Sequence, residues 1–169
     1  SFTSTLMKKP ADGSRDASAV GTIKARAYVS WVDPKETAAI FDAIEPGADR
    51  GDIIRISFGP PSAVQALVRT PKNEFSAALS PNGQWLAYQS DETGRQEVHV
   101  LDLGGSGARW QVTTEGGAEP HWSADGRLWV CESSSGTLGT VDLNTGRYEP
   151  VAAAPGFTRG VDFVGNLAF

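Results

Sequence analysis

The chain is poor in the residues that most often carry covalent or metal chemistry: its 169 residues include one cysteine, one methionine and two histidines. A lone cysteine excludes an internal disulfide and leaves the redox compartment open. Cys131 lies in the apolar run Leu128-Trp129-Val130-Cys131, which reads as a buried, unreactive thiol. Neither His99 nor His121 has a second His or Cys at chelating spacing, so no metal site and no cofactor is expected.

Long hydrophobic runs are missing too. No apolar stretch approaches the roughly 20 residues that span a bilayer, so membrane insertion is not expected. The opening Ser1-Phe2-Thr3-Ser4 lacks the charged start and apolar middle of a signal peptide, which leaves a soluble chain or one whose targeting segment has been removed. Basic charge is in deficit, with 15 Lys and Arg against 20 Asp and Glu and a net charge of -5. The cations are scattered rather than gathered on one face, which argues against a nucleic-acid partner. No Gly-x-Ser-x-Gly elbow, phosphate-binding glycine loop or His-Glu-x-x-His helix occurs. No catalytic residue is assigned, and the chain is read as not an enzyme.

What is present is a repeat. The run from Phe75 to Ser90 aligns without a gap on the run from Ala118 to Ser133 at a constant offset of 43 residues. Ser80 falls on Ser123, Gly83 on Gly126, Leu79 on Trp122, and Trp85-Leu86-Ala87-Tyr88 on Leu128-Trp129-Val130-Cys131. The likeness continues after a shorter turn, Val98–Leu103 matching Leu138–Leu143. Fainter echoes occur at Ala27-Tyr28-Val29-Ser30 and Leu167-Ala168-Phe169.

Each unit reads as four short strands. In the first they are Phe75–Ser80, Gln84–Ser90, Glu97–Leu103 and Arg109–Thr114. The turn Pro81-Asn82-Gly83 uses proline to pre-set φ and glycine to accept positive φ, and Asp91-Glu92-Thr93-Gly94 supplies the next. Four strands in 40–45 residues is the size of a propeller blade, whereas helical repeats of that period need long stripes of 3.6-residue spacing, which are missing here.

The fold class expected is therefore all-β: β-propeller blades, about three four-stranded units forming an incomplete ring, with one short helical insertion. Residues 1–20 fit no blade pattern and are expected to be irregular. Residues 21–72 form a divergent blade containing the insertion at 32–51, residues 73–116 and 117–156 are blades, and 157–169 begin another. In the insertion Asp33 is placed to cap a helix, with Pro34 at its first position and Glu36 completing a capping box. Ile40, Phe41 and Ile44 then form a candidate stripe for a partner or for a neighbouring blade.

The turn Ser80-Pro81-Asn82-Gly83, the strand Trp85-Leu86-Ala87-Tyr88 and the turn Ser90-Asp91-Glu92-Thr93-Gly94 resemble the TolB-like, WD-like propeller repeat. The stretch from Asn73 to about Gly126 is particularly similar to propellers of bacterial envelope proteins and of serine/threonine kinase sensor regions. That resemblance implies a toroidal binding scaffold, extracytoplasmic or periplasmic, or else a sensor domain or the gating propeller of a larger prolyl-oligopeptidase-type hydrolase. It also implies that the first strand of each blade lines the channel, which makes Asn73, Glu74, Glu119, His121 and Arg159 candidates for a binding site at one mouth. An open arc exposes blade faces and strand edges, so a protein partner, flanking sequence or a second copy completing the ring is expected, the last as a homo-oligomer of about six to eight blades. The tryptophans, at repeated strand positions, are expected to pack between blades, and the aspartates of the turns to bond to the backbone.

Overall fold

The computed structural model describes residues 3–59, 61–153, 163–164 and 167–168. Every regular element among them is a β-strand. The chain divides into two compact units, Ser1–Glu74 and Phe75–Phe169.

The first unit opens with an antiparallel hairpin of β1 (Ser4–Lys8) and β2 (Ser18–Ile23), in the segment expected to be irregular. A four-stranded antiparallel sheet follows, of β3 (Arg26–Val32), β4 (Ala38–Ile44), β5 (Asp52–Ser57) and β6 (Ala63–Val68), each strand pairing with the next in sequence. Its core gathers Ile23 and Ala25 with Ala39, Phe41 and Ala43 of β4 and Ile54 and Ile56 of β5.

The helix expected within 32–51 is instead the strand β4. Its residues pair on one side with β3, Phe41 opposite Val29, and on the other with β5, Phe41 opposite Ile54. A strand inside a sheet and covered on both faces carries a continuous apolar run, and Ala-Ala-Ile-Phe-Asp-Ala-Ile fits that as well as a helix stripe. Strand alternation then sends neighbours to opposite faces. Phe41 enters the core with Ile23, while Ile40, equally buried, lies on the other face, and Ile44 is half-buried. They do not form one stripe. The helix-capping residues close the β3–β4 turn: Asp33 accepts from the Lys35 amide at 3.0 Å and from the Thr37 hydroxyl, while its backbone carbonyl accepts from the Glu36 amide at 2.7 Å. Glu36 takes a left-handed φ of 55° there.

The second unit holds two sheets of the same plan. One comprises β7 (Glu74–Leu79), β8 (Trp85–Ser90), β9 (Glu97–Asp102) and β10 (Arg109–Gln111), and the other β11 (Gly117–Trp122), β12 (Leu128–Glu132), β13 (Thr137–Asp142) and β14 (Arg147–Ala153). A short hairpin of β15 (Phe163–Val164) and β16 (Leu167–Ala168) follows. The two sheets share one core, in which Ala87, Val98, Val100 and Val112 of the first meet Trp122, Leu128, Val130 and Val141 of the second. Trp85 and Trp110 pack against it and meet each other edge to face, ring centres 5.5 Å apart. The repeat seen in the sequence is thus two stacked, equivalent sheets, and β11 of the second lies against β8 and β9 of the first.

Candidate functional site

Ser76 in β7 and Glu119 in β11 are 43 residues apart, and both are non-glycine residues in the left-handed region, at φ 52° and 50°. Such backbone is costly for residues bearing a Cβ and persists where surrounding structure holds it. Around Glu119 the register of β11 against β12 shifts between Ala118 and His121, a bulge that re-aims the side chain. The Glu119 amide donates to the side-chain carbonyl of buried Gln89 at 3.1 Å, which pins the bulge to the preceding sheet. Glu119 itself is exposed.

Beside the bulge, Glu97 at the start of β9 is fully buried, and a buried carboxyl group is tolerable only when its oxygens are hydrogen-bonded. Its carboxylate accepts from the Thr113 hydroxyl at 2.6 Å, from the Gly116 amide at 3.1 Å and from the Gly117 amide at 3.2 Å, and Arg95 pairs with it at 2.6 Å. Thr113 is buried and in turn receives the Val98 amide at 2.9 Å. Only glycine fits at 117, because a Cβ would come within 2.2 Å of the Thr113 hydroxyl oxygen. The Trp122 indole donates to the Ala78 carbonyl at 3.0 Å, and the Ser133 amide to the Gly116 carbonyl at 2.8 Å. These bonds fix the turn of chain that carries one sheet into the next.

Over this turn lies a cleft of about 510 Å³ whose polar lining is Gln89, Arg95, Gln96, Glu119, Ser133 and Ser134. Arg95 is half exposed and also reaches Glu115 at 3.7 Å. The arrangement offers a cation, a carboxylate, hydroxyls and amides on a rigid floor, which is equipment for recognition. Among the described residues no group of three or more His, Cys, Asp or Glu stands ready to hold a metal ion.

Of the residues expected at a channel mouth, Glu119 lines the cleft and half-buried His121 follows it in β11. Asn73 and Glu74 act otherwise. Asn73 accepts from the Gly51 amide at 2.7 Å, and Glu74, fully buried, takes the Thr70 hydroxyl and, at 3.3 Å, the Thr70 amide while its own amide donates to the Gly51 carbonyl. They tie down a loop of the first unit, at the repeat position that Gly117 occupies in the second. Arg159 falls outside the described residues. Gln89, Arg95 and Glu97 were not among the site residues expected from the sequence; the signal was a carboxylate opening a strand with a Gly-Gly pair downstream.

The remaining titratable groups are structural. Cys131 is buried, and burial followed by the nearby Glu119 carboxylate raises its thiol pKa, which suppresses the reactive thiolate. His99 is buried and stacks on Tyr88, its Nδ1 3.2 Å from Glu92, while its Nε2 has no hydrogen-bond partner. Desolvation holds its pKa below the usual value of 6.5. Asp102 receives the amides of Gly104, Gly105 and Ser106 and the Ser106 hydroxyl, as expected for a turn aspartate. Glu92 pairs with Arg109 at 3.0 Å and lies 3.2 Å from the His99 ring.

A model described as a domain of unknown function (DUF4915) matches residues 106–169. No curated protein matches the sequence. Among solved structures, TolB from Acinetobacter baumannii is 19% identical with a TM-score of 0.61 over 85% of this chain and 36% of its own. A structure titled "putative TolB" from Agrobacterium tumefaciens is 15% identical with a TM-score of 0.61, over 88% of this chain and 60% of its own. A puromycin-hydrolyzing peptidase of Mycobacterium tuberculosis is 14% identical with a TM-score of 0.62, over 83% of this chain and 25% of its own. The chain therefore spans between about a third and three fifths of the length of the TolB structures it matches. These likenesses establish the fold: the chain carries part of a TolB-like β-propeller, built of four-stranded antiparallel blades.

Proposed function

We propose that this chain is a non-catalytic scaffold that binds a protein ligand at the cleft between its two stacked blades. The observation that supports it most is the cleft itself: a polar recess beside a strained inner strand, its floor held by a buried carboxylate whose bonds are all spent on structure. A preformed site of this kind loses little freedom on binding. In the same reading the ring is completed by a protein partner or a second copy, and the scaffold works outside the cytoplasm. Photo-crosslinking from Gln96 and Ser134 in the native host tests the site, with exposed Asn144, in the turn at the other end of the blade, as control. Protein adducts from Gln96 and Ser134 and none from Asn144 are expected; equal labelling at the three positions, or none at the cleft, overturns the assignment.

Likeness to a peptidase supports a second reading, an accessory propeller that gates a hydrolase domain, with a kinase sensor region as its analogue. An α/β-hydrolase or a kinase segment in the same open reading frame favours it over a free-standing binder.

A further inference from the structure

The turn between β7 and β8, Ser80-Pro81-Asn82-Gly83, sets an asparagine before a glycine, and glycine puts no Cβ in the way when its backbone nitrogen approaches the asparagine side chain. That approach is the first step of deamidation. The Gly83 nitrogen gives up its proton and attacks the side-chain carbonyl carbon of Asn82; a cyclic imide closes as ammonia leaves, and water opens it to aspartate or isoaspartate. Asn82 and Gly83 are exposed, and a Cβ at Gly83 would meet nothing within 4 Å, so water and hydroxide reach the pair. What opposes the reaction is the fold. The Gly83 amide donates to the Ser80 carbonyl at 2.8 Å, so the attacking nitrogen keeps its proton. Asn82 is not in the left-handed region, which with Pro81 before it makes the turn type I. There ψ at Asn82 is near 0° and turns the Gly83 nitrogen toward the Asn82 amide, whereas ring closure needs it over the Cα–Cβ bond. The carboxamide is lodged as well. Its Oδ1 accepts from the Ser80 hydroxyl at 2.7 Å and the Gln84 amide at 3.1 Å, and its Nδ2 donates to the Gln84 side-chain oxygen at 3.1 Å. Buried Ser80 is tied in turn to Trp85, and the Gln84 carbonyl takes the amides of Leu103 and Gly104. Freeing Asn82 therefore means opening the hairpin.

We infer that Asn82 is a deamidation site held shut by its own turn: it converts only while the β7–β8 hairpin is open, so its state records how long that blade has stood open. The next sheet shows which product the fold accepts. At the same repeat position Asp125 stands in place of asparagine; the Ser123 hydroxyl donates to it, and the Gly126 amide donates to the Ser123 carbonyl at 2.9 Å. Gly83 and Gly126 share a left-handed φ, 72° and 85°. Aspartate at position 82 thus keeps both acceptor bonds and forfeits only the donation from Nδ2 to Gln84. Isoaspartate routes the main chain through the side-chain carbon, which lengthens it by a methylene and spoils the spacing on which the Ser80–Gly83 and Ser80–Trp85 bonds depend. One product lets the blade close again, and the other keeps it open. The inference goes beyond the binding reading and does not rest on it.

The test incubates the whole chain in mildly alkaline buffer, with and without denaturant, beside a blocked peptide of residues 78–88. Residue 82 is followed by mass spectrometry after digestion, and isoaspartate is counted by enzymatic methylation. Conversion in the folded chain is expected to be roughly tenfold or more slower than in the peptide, since it waits on local opening, and to reach the peptide's rate in denaturant. Ser80→Ala, which releases the Asn82 carboxamide and the Trp85 amide, speeds conversion several-fold and leaves Asn144, in the β13–β14 turn, at its parent rate. Asn82→Asp keeps the parent's denaturant midpoint, whereas chain isolated with isoaspartate at position 82 unfolds at lower denaturant. A folded chain that converts as fast as the peptide, a denatured chain that does not convert, or an Asn82→Asp midpoint well below the parent's overturns the inference. So does a Ser80→Ala chain that is folded by circular dichroism and converts no faster than the parent; should that variant not fold, the parent's own comparison with peptide and denatured chain decides.

Discussion

Single side chains decide how the second unit answers to pH and to crowding. His99 is buried neutral, so its folded pKa lies below 6.5 while the unfolded chain keeps about that value. Its contribution to stability is complete above pH 6.5 and is lost as pH falls from there through the lowered folded value, because unfolding then takes up a proton. Chemical denaturation between pH 7.5 and 5 is expected to show falling stability, and His99→Phe, which keeps the ring on Tyr88, to flatten that slope. Below it lies the range of the turn acids Asp102, Asp125 and Asp142, whose pKa values are lowered from 3.8 by local hydrogen bonds and whose contribution is lost in stronger acid. Gly117 is a steric matter. A methyl there strikes buried Thr113 and breaks into the bonds of Glu97, so Gly117→Ala is expected to cost about 1–3 kcal/mol, read as a lower denaturant midpoint. Gly51→Ala, whose Cβ meets the Glu74 carbonyl at 3.0 Å, offers a milder comparison.

At the level of strands and turns, Leu86→Ala in β8 removes a fully buried side chain and is expected to destabilise by about 2–5 kcal/mol in equilibrium unfolding. Asp33→Ala removes the acceptor that shapes the β3–β4 turn and is expected to lower the denaturant midpoint slightly with little change of fold, measured the same way. These two positions also show what the sequence disclosed. Around Leu86 the reading was direct, since turn residues and apolar runs recur together and any strand in that repeat must stack on its copy. Around Asp33 it was misleading, because an aspartate followed by Pro and Glu closes a helix start and a hairpin turn with the same acceptor chemistry. The choice rested on pairing partners β3 and β5, which are distant information. Glu119 was a candidate through the resemblance, whereas the burial of Glu97 was not legible, as nothing local tells a buried carboxylate from a solvated one. Asn73 and Glu74, at the corresponding repeat position, hold the Gly51 loop.

For the whole molecule the relevant balance is between charge and exposed apolar surface. Net charge is -5 at pH 7 and the isoelectric point is about 5.0. Repulsion between copies therefore fades over the pH range in which His99 begins to weaken the fold, while Val29, Val32 and Met7 remain uncovered. Light scattering is expected to rise as pH is brought from 7.5 toward 5 and to fall again in Val29→Asp; a flat profile refutes this coupling of charge to exposed apolar surface.

The junction around Glu97 also bears on how such a chain can lengthen. The stretch from Ser80 to Trp122 holds Gln89, Glu97, Thr113, both junction glycines and the indole donor, and it is one repeat long. The indole's acceptor is a main-chain carbonyl, which any residue supplies. A tandem copy of that stretch arrives with lock and latch already matched, so a gene can add modules here by simple recombination, with no second change to make the seam fit.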